Sequence, residues 1–265
     1  MLIQDVIDAL EAVAPPHLQE SYDNSGLIAG TSTNEVTGIL VSLDATPEIV
    51  DEAIAKGCNL VVSHHPIVFR GLKSITGKSY VERSIIKAIK NDVALYAIHT
   101  NLDNVLVNGV NGKIAERLGL MDLDVLRHHP DHDPGGEIGA GIIGYLHKPM
   151  TEQDFLQHLK SPMNAEVVKH TALTGTNVEK IAICGGSGSF LLGDAIRAGA
   201  DFFVTADFKY HEFFDAEGKV VIADIGHFES EQFTIDLLCD IIRENFPTFA
   251  PNSAETNTNP VNYYT

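Results

Sequence analysis

Two stretches of this chain, VTGILVSLDATPEIVDEAIAKGCNLVVSHH (residues 36–65) and VEKIAICGGSGSFLLGDAIRAGADFFVTAD (residues 178–207), align without a gap at a constant offset of 142 positions. Val36, Ile39, Ala53, Ile54, Gly57 and Val62 are identical to Val178, Ile181, Ala195, Ile196, Gly199 and Val204, and the Asn59/Asp201 and Ser63/Thr205 pairs are conservative. The identities fall on helix-stop and strand-core positions, where they carry physical meaning. Each stretch reads as strand, helix, strand. In the first, GILVSL is a strand and TPEIVDEAIAKG a helix, with Thr46 as N-cap, Pro47 at the first helical position, Glu48 in the first turn and Gly57 as the stop. NLVVS follows as a strand, VERSIIKAIKN as a helix and VALYAI as a third strand, while an amphipathic helix is expected near residues 2–13. Strands alternating with helices of this length predict an α/β fold with largely parallel pairing. The expected organisation is two repeat-related α/β halves, residues 1–126 and 127–265, facing each other across a metal-binding cleft.

The repeat continues into chemistry. VALYAIHTNLD (93–103) matches VIADIGHFESE (221–231) at an offset of 128, which sets His99-x-x-x-Asp103 over His227-x-x-x-Glu231. In parallel α/β sheets ligands bind beyond the carboxyl ends of strands, so facing halves would bring His64, His65, Asp103, His227 and Glu231 to one cleft. Imidazole nitrogens with carboxylates suit zinc, iron, manganese, cobalt or nickel, and no thiolate is present to select a softer ion. Five protein ligands exceed what one open catalytic ion usually takes. Two ions about 3.5–4 Å apart, bridged by a carboxylate and a water, use all five and leave positions for substrate, an arrangement that points to hydrolysis. An HH pair before proline is, taken alone, more often a capped loop or a surface pair; the repeat-related His/carboxylate pairs are what weigh toward ligation.

Composition narrows the rest. Against 18 Lys plus Arg stand 36 Asp plus Glu, a formal net charge of −18. With no Lys/Arg stripe to offset it, that field argues against nucleic-acid partners, and an anionic substrate would need a local cation. The acidic start MLIQDVIDALEAV lacks the form of a signal peptide, and no apolar run is long enough for a membrane span, so a cytoplasmic protein without membrane contact is expected. Cys58, Cys184 and Cys239 are far apart and without ligand spacing, and read as reduced core thiols.

SHHP, HTNLDN and DIGHFESE, together with YDNSGL near the start and TNPVNYY near the end, resemble the NIF-three-like family, whose members are also known as type 2 GTP cyclohydrolase I homologs. The likeness covers nearly the whole chain, in the short form without an inserted middle domain. It implies a duplicated α/β fold, a di-metal site and a toroidal homohexamer. Carried over by residue, it implies metal ligands at His64, His65, Asp103, His227 and Glu231, with His99 beside them as a positioning group or general acid/base. One departure is Ala206 in TADFKYHE, where relatives commonly carry glycine.

Other segments are weaker. HHPDHDP (128–134) reads as a solvated linker rather than a metal tract. GGSGS (185–189) reads as a tight turn more readily than an anion cradle. His211 either lines the cleft or packs beside it. The polar tail APNSAETNTNPVNYYT ends in two tyrosines and is expected to be ordered only where it docks. Two functions from different classes follow: a dinuclear-metal-dependent hydrolase of a small nucleotide-like or phosphorylated substrate, GTP cyclohydrolase 1 type 2-like by resemblance, or a non-catalytic metal-handling ring.

Overall fold

A computed structural model describes residues 1–129 and 136–264 of the 265-residue chain. In chain order the elements are α1 (Ile3–Val13), β1 (Gly26–Ala29), β2 (Ile39–Ser42), α2 (Pro47–Ala55), β3 (Leu60–Ser63), α3 (Tyr80–Lys90), β4 (Ala94–Ala97), α4 (Thr100–Asp103) and α5 (Val110–Leu118). They continue as β5 (Leu120–His128), β6 (Gly139–Thr151), α6 (Glu152–Met163), β7 (Lys169–His170), β8 (Asn177–Ser187), α7 (Leu192–Arg197), β9 (Phe202–Ala206), β10 (Val221–Asp224), α8 (His227–Glu231), α9 (Thr234–Asn245) and β11 (Asn252–Ser253). The fold is mixed α/β with two sheets, as the alternation of strands and helices predicts. Among the described residues no helix is long and apolar enough to cross a membrane.

The chain forms two compact units, the first made of residues 1–102 and 234–260, the second of 103–233 and 261–265. In the first, the sheet order is β1-β4-β3-β2-β11, and only β1 runs antiparallel to its neighbour. The strands β2, β3 and β4 are buried along their whole length, which is why their sequences are continuous apolar runs rather than alternating ones. Helix α2 is capped as expected, its Thr46 hydroxyl accepting from the Ile49 amide at 3.4 Å. Helix α9 packs on α1 and β2, and β11 extends the sheet beside β2.

In the second unit the order is β5-β6-β8-β9-β10-β7. Only β8, β9 and β10 run parallel; β5, β6 and β7 pair antiparallel. The largely parallel expectation is therefore corrected to a mixed sheet. The long β5–β6 pair belongs to the second unit alone and has no counterpart in the repeat.

Hydrogen bonding bears out the repeat where it was aligned. Ile39 pairs with Leu60 across β2 and β3, and Ile181 with Phe202, at the same 142-residue offset, across β8 and β9. The Asn59 side chain accepts the Thr37 amide at 2.8 Å, and Asp201 accepts the Glu179 amide at 2.8 Å, the equivalent bond. Gly57 and Gly199 both stop their helices at φ +69°, a conformation that favours glycine. The second match is one residue out of register within the strand. Leu60 pairs with Ala94, but Phe202 pairs with Val221 rather than Ile222. The extra residue is Gly226, at φ +95°, between the end of β10 and His227.

Candidate metal centre

In the first unit, β3 ends at Ser63 and the chain leaves the sheet through His64 and His65, whose amides donate to the Ser42 and Leu43 carbonyls. These consecutive backbone bonds fix where the two side chains leave the sheet, and the ring positions are then set by their own hydrogen bonds. The His64 ring is fully buried, and its Nδ1 lies 2.9 Å from the Ile98 carbonyl oxygen. His65 Nδ1 lies 2.9 Å from Asp44 Oδ1, and His99 Nδ1 lies 2.8 Å from Asp23 Oδ1. Each partner is an acceptor, so each ring donates from Nδ1, and in the neutral ring the lone pair is on Nε2. The three rings cluster with centroids 4.9, 5.2 and 5.4 Å apart, and each offers a ligand atom within 4.8 Å of the others. Phe69 stands edge-on to His99 at 5.3 Å.

Asp23 is the best-anchored carboxylate in this unit. Its side chain is fully buried and accepts from the Thr100 hydroxyl and amide, the Ser25 hydroxyl and the Asn24 amide in addition to His99. Burial alone would raise its pKa, but His99 and the Thr100 and Asn24 bonds outweigh burial and hold it well below the usual carboxylate range.

In the second unit, α8 carries His227 and Glu231 one turn apart, with His227 Nε2 3.0 Å from Glu231 Oε2. His227 Nδ1 lies 2.7 Å from Asp207 Oδ2, just after β9. Burial opposes the charge of His227, yet Glu231 and Asp207 outweigh it and push its pKa up to about 11. A ring nitrogen facing a carboxylate oxygen at 3.0 Å needs a cation between the two lone pairs, either a proton or a metal ion.

The end of β8 makes room for this pair: Gly185, Gly186 and Ser187, expected as a tight turn, continue the strand through a register shift between Ile183 and Ser187. Gly186, at φ +60°, leaves a space that a Cβ would fill, overlapping Glu231 Oε1 and lying 3.2 Å from Glu231 Cδ and 3.3 Å from His227 Cε1. Its amide donates to the Ser230 hydroxyl at 2.9 Å, so this glycine serves close approach of α8 to β8. Asp103 comes to the same place through Asn111, which donates to the Asp103 carbonyl at 3.0 Å and accepts the Gly185 amide at 2.8 Å. Burial, then the charges of Asp103 and Glu231, push the neighbouring Cys184 thiol up.

The donor chemistry in each unit fits a divalent metal. The first unit brings His64, His65 and His99 together; in the second, His227 pairs with Glu231, and Asp103 and Glu231 both lie beside Cys184. His211 is exposed, in ring contact with exposed Tyr210 and Phe214, and the structure gives it no role among these donors. Of HHPDHDP, residues 130–134 lie outside the described residues; His128 is 3.7 Å from Asp124. Sequence reasoning missed the three carboxylates Asp23, Asp44 and Asp207 that orient the imidazoles.

Comparison with known proteins agrees with the sequence resemblance. The family model for Duf34/NIF3 (NGG1p interacting factor 3) matches residues 1–260. The chain belongs to the Duf34/NIF3 family. A relative from Clostridium perfringens, named GTP cyclohydrolase 1 type 2 homolog, is 38% identical over 232 residues, 87% of each chain. The two chains are thus nearly equal in length, as the short form of the family requires. Among solved structures, Staphylococcus aureus protein SA1388 is similar with a TM-score of 0.91 at 30% identity, and a Bacillus cereus protein related to NIF3 with a TM-score of 0.92 at 25% identity. Both likenesses cover 100% of this chain and 99% of the other.

Proposed function

We propose that this Duf34/NIF3 chain is a dinuclear-metal-dependent hydrolase of a small nucleotide-like or phosphorylated substrate, with His64, His65, Asp103, His227 and Glu231 as ligands of two divalent ions. The observation that carries the reading is the shared orientation of the imidazoles. His64, His65 and His227 each have Nδ1 committed to an oxygen acceptor, which leaves Nε2 to a cation. A bound pair of divalent ions would supply Lewis acidity and a water acidic enough to attack near neutral pH. The acidic chain would otherwise repel an anionic substrate, and local cations offset that field.

His99 is proposed as the catalytic proton carrier. Its Nδ1 is anchored to Asp23, which stays a carboxylate across the working pH range and so stabilises a proton gained at Nε2. The nucleotide-like substrate class is supported by the name of the C. perfringens relative, and the proposal extends to a cytoplasmic, toroidal homohexamer as the sequence resemblance implies.

Elemental analysis of the purified protein after mild dialysis is expected to give two divalent ions per chain, zinc, iron, manganese, cobalt or nickel. A reproducible value of zero overturns the reading. Glu231→Ala should lose at least one ion while keeping cooperative unfolding. Turnover across a panel of nucleotides and phosphate esters, abolished by that substitution, marks a hydrolase; tight metal uptake with transfer to an acceptor and no turnover marks a metal-handling protein.

A further inference from the structure

The segment after α9 lies along the first unit as a strap. β11 pairs with β2, and the Ala254 amide donates to the Val41 carbonyl at 2.9 Å. The Glu255 and Thr256 amides donate to the two oxygens of Glu52 at 2.8 and 2.9 Å, and Glu255 pairs with Lys56 at 2.9 Å. Two residues further on, the Thr258 hydroxyl donates to Asp44 Oδ2 at 2.6 Å. The other oxygen of the same carboxylate, Oδ1, holds His65 Nδ1. An unbroken run of hydrogen bonds therefore leads from the chain's C-terminal segment to a ring at the end of β3.

The three imidazoles of this unit are anchored differently. His64 donates to a strand-end carbonyl, and His99 to a carboxylate fully buried under four further donors. Asp44 keeps 33% of its side-chain surface exposed, whereas the Asp23 side chain is fully buried. The Thr258 hydroxyl ties down the oxygen of Asp44 that does not face His65. A carboxylate fixed on Nδ1–H sets the tautomer, aims Nε2 and raises its basicity.

We propose that Thr258 and Asp44 are positioning residues for His65, and that docking of the C-terminal strap is what holds the His65 ring in its Nδ1–H tautomer with Nε2 presented. The role assigned to that Nε2 rests on the metal-ligand reading above; the tautomer itself does not.

The test uses the full chain in its native assembly with histidine-selective 15N labelling. Two-bond proton–nitrogen correlation spectra of metal-free protein identify the protonated nitrogen of each ring, with His65 assigned by its loss in His65→Gln. Zinc affinity is read separately by competition with a chromophoric chelator. Wild-type protein is expected to show His65 as the Nδ1–H tautomer. Thr258→Val should give mixed tautomers at His65 alone, with weakened zinc binding, and Thr258→Ser should restore both. Asp44→Asn should lower zinc affinity by about 10–100-fold. Thr258→Ala serves in place of the valine variant if that one fails to unfold cooperatively. A wild-type His65 tautomer in Thr258→Val or Thr258→Ala overturns the proposal. If wild-type protein takes up no zinc, the metal reading fails, while the spectra still decide the strap.

Discussion

Gly186→Ala is the substitution whose cost can be worked most directly from the structure. Two penalties meet at this position. An alanine at φ +60° costs about 1–2 kcal/mol in backbone conformation. Its Cβ would also overlap Glu231 Oε1, and overpacking of that kind costs about 1–3 kcal/mol. The tip of an exposed glutamate would simply move aside. Glu231 is 3% exposed, and its other oxygen is 3.0 Å from His227 Nε2, so yielding means breaking that pair.

Gly199→Ala is the matched control, because Gly199 sits at φ +69° with nothing within 4 Å of a Cβ. It carries the backbone penalty and no contact penalty. Urea unfolding should place Gly186→Ala about 1–3 kcal/mol below Gly199→Ala, unless Glu231 swings away. In that second case the stability gap closes but bound metal falls, because the ligand has left its place. Elemental analysis on the same samples distinguishes the two. A Gly186→Ala protein that matches Gly199→Ala in stability and wild type in metal content refutes the reasoning that the glycine at this strand end seats Glu231.

Three further expectations concern the strap and the assembly. Burial would raise the pKa of Glu52, but its bonds to Lys56, Thr256 and the Glu255 and Thr256 amides outweigh that and lower it from 4.5 to about 2. A pKa lower in the folded than in the unfolded chain stabilises above 4.5 and loses that contribution as pH falls toward 2, so Glu52→Gln should be less stable than wild type near about pH 6 and approach it near about pH 2.5; parallel urea midpoints across that window contradict this. Light scattering at micromolar concentration is expected to give six times the 28.7 kDa chain mass, and the mass of one chain ends the ring. Because residues 252–258 are ordered by their own chain, the fully exposed Tyr264 is the better interface probe, and Tyr264→Ser should weaken the hexamer measured by dilution.

What was legible in the sequence is what has a fixed local signature. The helix α2 announces itself through Thr46, Pro47 and Gly57, and the strands β2, β3 and β4 through short buried apolar runs, so each lies within two residues of its expected place. The antiparallel β5–β6 pair was not legible, because its first strand alternates weakly and exposes most of its side chains. The candidate ligands were visible because a repeat compares like with like. The carboxylates behind them were not, since Asp23, Asp44 and Asp207 reach their histidines from 76, 21 and 20 residues away, and no spacing rule spans such gaps. One clue did exist. At the 142-residue offset Asp207 stands where His65 stands in the first half, so the duplicated strand end carries a histidine in one copy and the partner of a histidine in the other. The two copies keep one geometric position, the residue that ends the SHH or TAD segment after β3 or β9. They differ in whether that position supplies a donor nitrogen or the oxygen that orients one. The one-residue slip at Gly226 belongs to the same divergence: an added residue at φ +95° lets His227 leave β10 on a different path from the one His99 takes out of β4.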